Sequence, residues 1–208
     1  TLDGNSGSDT LNGGDGDDVL RPGVGPGGGP DFLEGGLGVD TVDLSALSLA
    51  GGSGVYASTL GHGYFGVGSG PTGQFGRFTG VEVIQLGEGN DLFFGGAGAD
   101  SVRLAGGNDW ANAGDNADTL DGGAGSDTLI GGDGDDVLRP GVGPGGGPDY
   151  LEGGLGIDTV DLSALSTAGG SGVYADTFGQ GYFGAGTGPT GQFGRFTGVE
   201  VIQLGEGN

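Results

Sequence analysis

Aspartate recurs at nine-residue intervals through most of this sequence, inside the phrase Gly-Gly-x-Gly-x-Asp-x-apolar-x. The phrase runs six times without a gap from Leu86 to Arg139. Its glycines permit the positive φ angles of a tight turn, so backbone carbonyls can point to the same side as the carboxylate. Calcium takes such oxygen ligands in flexible geometry. The pattern therefore predicts regularly spaced calcium sites, whereas zinc would need the nitrogen or sulfur ligands that a sequence with one His and no Cys hardly offers.

The net negative charge of the chain favours the binding of cations over the binding of a polyanionic partner. The 208 residues include 59 Gly, and 28 Asp and Glu against five Lys and Arg give a formal net charge of -23. So acidic and glycine-rich a chain repels itself and loses much entropy on folding unless cations neutralise it. We expect no nucleic-acid binding, because there is no basic patch. We also expect no membrane span, because no apolar stretch approaches about 20 residues, and no signal peptide, because the chain opens in the middle of a repeat.

A longer period contains the short one. Residues 1–90 align without gaps on residues 119–208, and 79 of the 90 positions agree. Between the acidic blocks lie Gly-rich, aromatic segments whose short alternating runs predict strands joined by Gly and Pro turns. The predicted domains are acidic blocks at 1–43 and 86–161, inserts at 44–85 and 162–203, and the start of a further block at 204–208.

The nonapeptide resembles the calcium-binding repeat of the RTX, or haemolysin-type, family. Clear copies are Gly35–Asp43, Gly122–Ile130 and Gly131–Arg139. The resemblance implies calcium as the cofactor and an all-β fold: a parallel β-roll, or β-solenoid, of two phrases per coil, interrupted here by wider β-strand inserts. Turns 18 residues apart would then stack about 4.8 Å apart, where neighbouring aspartates repel by roughly 3 kcal/mol unless a cation lies between them.

Two columns of aspartates, one at each edge of the roll, follow from the implied 18-residue coil. They supply the candidate metal ligands Asp91, Asp109, Asp127 and Asp149 at one edge and Asp100, Asp118, Asp136 and Asp158 at the other. The earlier copy pairs Asp9 with Asp31 and Asp18 with Asp40. A cation between neighbours would give about eight or more calcium ions, which cancel most of the charge. Solvated acidic loops are the alternative.

The strands that follow each turn have one inner and two outer positions. The inner, eighth position of the phrase is apolar in every copy and is predicted to fill a narrow core. One outer face carries the large apolar residues Leu92, Phe94, Trp110, Ile130 and Tyr150. A patch of this kind usually contacts something. Either the aromatic insert of the same chain folds back over it, or a neighbouring molecule packs on it and the chain self-associates.

No catalytic constellation is apparent, so we predict that the chain is not an enzyme. The only histidine, His62, is replaced by Gln180 in the second copy, and no serine has a histidine partner. The resemblance implies type I secretion and folding on calcium outside the cell. The near-identical units favour a non-catalytic structural repeat of a tandemly repeated bacterial surface protein: an adhesin stalk, an extracellular fibre or filament, or a surface layer. The alternative is the secretion and folding tail of a secreted hydrolase or toxin.

Overall fold

The computed structural model describes residues 1–23, 30–47, 53–67, 75–141, 147–165, 173–176, 181–185 and 194–204. Short β-strands form nearly all of the regular structure in this part of the chain. The reason is local: runs of three residues with an apolar centre, bounded by glycine turns, are too short for a helix and alternate with the period of a strand. Neighbouring coils pair in parallel, which confirms the predicted all-β, parallel β-roll fold.

Two sheets face each other across one buried cluster, and their strands are numbered in chain order. Sheet A contains, in spatial order, β1 (Leu2–Asp3), β3 (Val19–Arg21), β5 (Thr41–Asp43), β9 (Val83–Gln85), β11 (Ser101–Arg103), β13 (Thr119–Asp121), β15 (Val137–Arg139), β17 (Thr159–Leu162) and β21 (Val201–Leu204). The coil strands of sheet B are β2 (Thr10–Asp15), β4 (Phe32–Leu37), β10 (Asn90–Phe94), β12 (Trp110–Asp115), β14 (Thr128–Asp133) and β16 (Tyr150–Leu155). The inserts add β6 (Ser53–Ser58), β7 (Gly63–Val67), β8 (Phe75–Thr79), β18 (Val173–Asp176), β19 (Gly181–Ala185) and β20 (Gly194–Thr197) to sheet B.

The core consists of columns of apolar side chains, one residue from each strand. Consecutive coils pair in register, with Val102 beside Leu120 in sheet A and Ala111 beside Leu129 in sheet B. The buried residues at the eighth position are Leu20, Leu33, Val42, Phe93, Val102, Ala111, Leu120, Leu129, Leu138, Leu151 and Val160. Leu11 is half-buried, because β2 has a neighbour on one side only. The prediction that this position fills the core is confirmed.

The insert widens sheet B but leaves sheet A regular. β6, β7 and β8 form an antiparallel meander. Its outer strands pair in parallel with the roll, β8 with β4 and β6 with β10. In sheet A, β9 alone joins β5 to β11. Sheet B therefore contains two more strands than sheet A at each insert, and β18, β19 and β20 repeat the arrangement in the second copy.

Close packing of aromatic rings against glycine holds the meander together. Phe65 and Phe78 are both buried, with ring centroids 6.5 Å apart. A Cβ on Gly63 would collide with the ring of Phe78, and one on Gly76 would collide with the ring of Phe65. Glycine at these two positions is therefore a packing requirement of the neighbouring strand.

Coverage by the insert was one of two alternatives for the apolar outer face, and the described part of the insert lies beside this face. Strand β6 lies edge to edge with β10, which places Tyr56 level with Leu92. The ring of Phe94 contacts those of Tyr56 and Trp110, with centroid distances of 5.6 and 4.8 Å. The unpaired backbone groups of β10 favour addition of a strand at its edge. The insert thus extends the row of half-buried aromatic side chains and does not cover it.

Candidate metal centre

Each candidate aspartate lies at the end of a glycine-containing turn, where a strand begins. In the phrase that begins at Gly131, Gly132 and Gly134 have φ angles of 117° and 147°. Residues with a Cβ rarely adopt these angles, so the alternation of glycines determines the shape of the turn. The following aspartate, Asp136, is buried at the edge of the roll although its neighbours in the turn are exposed or half-exposed.

The structure places the candidate aspartates in two columns, joined from coil to coil by one repeated hydrogen bond. The backbone N–H of each aspartate donates to Oδ1 of the aspartate in the next coil, at N–O distances of 2.6 to 2.9 Å. The columns run Asp9 to Asp31, Asp18 to Asp40, Asp91 to Asp109 to Asp127 to Asp149, and Asp100 to Asp118 to Asp136 to Asp158. One oxygen of each accepting carboxylate is therefore used inside the protein.

The second carboxylate oxygen has no protein partner in seven of these residues. Buried Oδ2 atoms without a hydrogen bond belong to Asp9, Asp40, Asp109, Asp118, Asp127, Asp136 and Asp158. A buried polar atom left unpaired costs about 1–3 kcal/mol, and more when it carries charge. Seven such atoms would be satisfied by a cation beside them, because buried ionised carboxylates are stabilised by an opposite charge.

The first glycine of the phrase leaves room at the same point. A Cβ on Gly13 would lie 2.8 Å from Oδ2 of Asp18 and 2.5 Å from the carbonyl oxygen of Gly35, one coil further on. The same two kinds of oxygen meet at Gly122, where a Cβ would lie 2.6 Å from Oδ2 of Asp127 and 3.1 Å from the carbonyl oxygen of Pro140. A carboxylate and a carbonyl thus converge on a space that only glycine keeps open.

The pKa values of several column aspartates are raised, because buried carboxylates lie close together without a neutralising charge. Burial raises the pKa of Asp109 to about 8, those of Asp118 and Asp149 to about 7, and that of Asp127 to about 6. The negative charges of neighbouring aspartates add to the rise, and the hydrogen bond from the preceding backbone N–H opposes it. Without a positive charge beside them, these groups would hold protons near neutral pH.

The oxygen donors favour a hard cation held largely by the backbone. Among the described residues, no three His, Cys, Asp or Glu side chains converge on one point. A cation in these columns would therefore draw on one or two carboxylates and on carbonyl groups from the turns. Calcium accepts this mixture and tolerates irregular geometry, whereas magnesium requires a stricter octahedron. The residues present fit calcium.

The columns change where they meet the insert. Oδ2 of Asp100 accepts a hydrogen bond of 2.8 Å from the hydroxyl of Thr59, which lies just after β6. Oδ1 of Asp91 accepts one of 2.6 Å from the N–H of Val55. The insert therefore supplies protein partners to the two aspartates that follow it, although sequence spacing predicted them as equivalent to the others.

Two glutamates that the nonapeptide pattern missed join one of the columns. Oε2 of Glu82 accepts a hydrogen bond from the N–H of Asp40, and Oε2 of Glu200 accepts one from Asp158, both at 2.9 Å. A signal was present in the sequence: each glutamate directly precedes a run, Val-Ile-Gln-Leu, of the kind that follows the aspartates.

Two carboxylates outside the columns, Asp43 and Asp161, have arginine partners. In the ninth position of the phrases, Arg21 contacts Asp43 at 2.8 Å and Arg139 contacts Asp161 at 2.9 Å. Hydrogen bonds from Ser163 and the ion pair with Arg139 outweigh the effect of burial and lower the pKa of Asp161. The protein therefore neutralises these two carboxylates with arginine, whereas Oδ2 of seven column aspartates has no protein partner.

The fold and the candidate site together define a class of protein, a parallel β-roll with buried carboxylates stacked at its turns. The sequence model of the RTX calcium-binding nonapeptide repeat (four copies) matches residues 1–26, 27–46, 78–111, 112–144 and 145–164, which is more than half of the chain. The chain belongs to this family, and its repeats are calcium-binding repeats. No curated protein matches the chain. Within the described ranges, no helix is long and apolar enough to cross a membrane.

Proposed function

We propose that this chain is a non-catalytic, calcium-binding structural repeat of a secreted, tandemly repeated bacterial surface protein. The observation that carries the proposal is the row of buried Oδ2 atoms without partners along both edges of the roll. Such a row costs folding energy in every coil unless a cation joins it. The proposed ligands are the twelve aspartates of the columns, with a cation between successive coils and about eight ions in all.

Folding outside the cell follows from the charge of the chain. A formal charge of -23 opposes compaction until cations bind, so binding energy serves as folding energy. Extracellular calcium modules have dissociation constants of about 10⁻⁴ to 10⁻³ M, far above the calcium concentration of the cytosol. The chain would therefore stay unfolded during export through a type I apparatus and fold on arrival.

A role as a stalk, filament or surface layer is supported by the way the units join. Sheet A passes from coil to insert to coil without losing register, so many units would form one continuous rod. In such a rod, sheet B carries the row of half-buried side chains that includes Leu92, Phe94, Trp110, Ile130 and Tyr150. The same face would recur with each unit. We propose that a second copy of the rod packs on this face. A secretion tail of a hydrolase or toxin would need only one such run of repeats.

Far-UV circular dichroism with calcium titration tests the central proposal. We expect a chain that is largely disordered in chelator and forms β-structure in millimolar calcium, with magnesium at the same concentration as the control for general screening of charge. A chain that is fully folded in chelator, or that folds equally well with magnesium, would contradict the proposal.

Light scattering in calcium tests the self-association. We expect wild-type assemblies that are lost in Trp110→Thr, because Thr128 occupies the equivalent place in the next coil. A wild-type protein that remains a strict monomer at high concentration would remove the support for packing through this face. The full-length gene separates the remaining alternative: many more units indicate a rod, and a catalytic domain indicates a secretion tail.

A further inference from the structure

The turn that returns the chain from the insert to sheet A is not a nonapeptide. It consists of three residues, Gly80–Glu82, and the same residue types recur at 198–200. Strand β9 nevertheless pairs with β5 in the register of a regular coil. The residue that precedes β9 therefore stands level with the residue that precedes β5, which places Glu82 beside Asp40.

The glutamate makes the hydrogen bond that an aspartate makes elsewhere in the column. Oε2 of Glu82 accepts from the N–H of Asp40 at 2.9 Å, and Oδ1 of Asp40 accepts from the N–H of Asp18 at 2.8 Å. The second copy repeats the pair, with Glu200 accepting from Asp158 at 2.9 Å. The carboxylate column thus continues through the three-residue turn in both copies.

The same junction contains a buried oxygen that lacks a partner. Asp40 and Asp158 are fully buried, and Oδ2 of each has no hydrogen bond. A Cβ on Gly35 would lie 2.5 Å from Oδ2 of Asp40 and would also collide with the carbonyl oxygen of Gly80. A carboxylate oxygen and a carbonyl oxygen therefore converge beside a glycine, as they do in the regular coils. Gly80 has a φ of 57°, a left-handed angle that glycine adopts readily.

We propose that Glu82 and Glu200 complete two calcium sites that lie outside the nonapeptide repeat, one at each junction of roll and insert. Each site consists of the Oδ2 atom of the preceding aspartate, the carbonyl of the turn glycine and the carboxylate of the glutamate. This inference rests on the proposed calcium binding by the roll. Its consequence is that the row of ions at this edge does not stop where the nonapeptides stop.

A purely structural role for the glutamate would leave the charges unexplained. One hydrogen bond from a backbone N–H satisfies one oxygen of Glu82, but two carboxylates then lie one strand apart with an unpartnered oxygen between strands. Like charges at this spacing repel each other. A divalent cation reverses the sign of that interaction.

The surroundings of Glu82 indicate where the row of ions ends. Glu82 and Gly80 line an open cleft of about 750 Å³, together with Thr59 and Asp100. On the far side of the cleft, the hydroxyl of Thr59 already occupies Oδ2 of Asp100. We therefore place the added ion between Asp40 and Glu82, and none between Glu82 and Asp100.

Glutamine substitution separates the hydrogen bond from the charge. In Glu82→Gln and Glu200→Gln the amide oxygen can still accept from the aspartate N–H, so the fold in saturating calcium is retained while a charged ligand is lost. Bound calcium per chain, measured by elemental analysis after equilibrium dialysis and by calorimetric titration, should fall by one ion in each single variant. It should fall by two ions in the double variant.

The matched control is Glu34→Gln with Glu152→Gln, which removes the same charge from the outer face of sheet B and should leave the ion count unchanged. Unchanged counts in the double variant, with circular dichroism equal to wild type, would overturn the inference while calcium binding by the roll stands. A wild-type chain that binds no calcium would overturn the proposed function instead. If Glu82→Gln does not fold, two further variants test the site: Glu200→Gln and Glu82→Asp, which retains the charge. The loss of one ion in Glu200→Gln and an unchanged ion count in Glu82→Asp would support the site.

Discussion

The nonapeptide coils of residues 86–139 and the insert strands of residues 53–85 belong to the same two sheets, but different forces hold them. The coils have columns of mostly aliphatic inner side chains and two columns of buried carboxylates. The insert has buried aromatic rings packed against glycine. From this difference we expect that calcium determines whether the coils fold, whereas apolar packing contributes a larger share of the stability of the insert.

A second contrast lies between the two sheets where coil and insert meet. In sheet A, one strand of the insert takes the place of one coil, and the hydrogen-bond register is unchanged. In sheet B, three strands stand where a coil has one. The three strands lie between β10 and β4, and the insertion is possible because each added strand pairs with the backbone groups of its neighbours. Sheet A therefore keeps its register across the insert, and sheet B provides the place where extra sequence is added.

Removal of calcium should produce the largest difference between the two regions. In chelator, we expect backbone amides of residues 101–139 to lose nearly all protection from hydrogen exchange, because the column carboxylates then repel without compensation. Amides of β7 and β8 should retain measurable protection, since the meander is a three-stranded unit with its own apolar contacts. Hydrogen exchange read by mass spectrometry measures both regions in one sample. Equal loss in both would show that roll and insert unfold as one unit.

Loss of a single column carboxylate should have the next largest effect. Asp118→Asn retains an oxygen that accepts the N–H of Asp100 but removes the charge of a buried residue with an unpartnered Oδ2. We expect the calcium concentration at the folding midpoint to rise several-fold, as measured by circular dichroism. Asp133→Asn, at an exposed turn position, is the matched control and should shift the midpoint little. Equal midpoints for the two variants would argue against the column as the calcium site.

Acid should favour the metal-free coils and leave the insert unaffected. The folded pKa values of Asp109, Asp118 and Asp149, about 7 to 8, lie above the ordinary value of 3.8. The metal-free folded state therefore binds more protons than the unfolded chain, and its stability increases as pH falls from about 8 and is lost as pH rises. In chelator, β-structure should be greater at pH 5 than at pH 8. In calcium the trend reverses, because protons compete with the ion. A pH-independent spectrum in chelator would contradict these assignments.

A smaller effect is expected from overpacking the insert. Gly63→Ala places a methyl group against the ring of Phe78, which should reduce the free energy of unfolding in saturating calcium by about 1–3 kcal/mol. Gly98→Ala is the control, since a Cβ there meets no atom within 4 Å. Thermal unfolding measures stability, and calcium titration should give the same ion count for both variants. A lower ion count in Gly63→Ala would show that the insert and the columns are coupled.

The regular coils were predictable from the sequence to a degree that the insert was not. The position of Asp118 in a column and of Leu120 in the core both follow from a fixed period, because each coil repeats the environment of the last. The insert has no period, and its strands pair with partners far along the chain. Its alternating runs indicated strands, but nothing in them indicated that β6 would add to the edge of β10 instead of covering a face.

The role of Glu82 also could not be predicted from the sequence. Its neighbours in sequence do not form the nonapeptide, so a search by motif passes over it. Only the pairing of β9 with β5 brings its carboxylate level with Asp40. Thr59 is a parallel case, because its contact with Asp100 depends on the meander that precedes it.

The sequence by itself determined the repeat, the core positions, the alternation of turn and strand, and the need for cations, because glycine angles, strand periodicity and charge act over a few residues. The tertiary structure decided which carboxylate oxygens are left unpartnered, how the insert enters sheet B, and which residue continues the column where the motif ends. These depend on the register between strands separated by 18 to 42 residues, a distance over which no local preference acts.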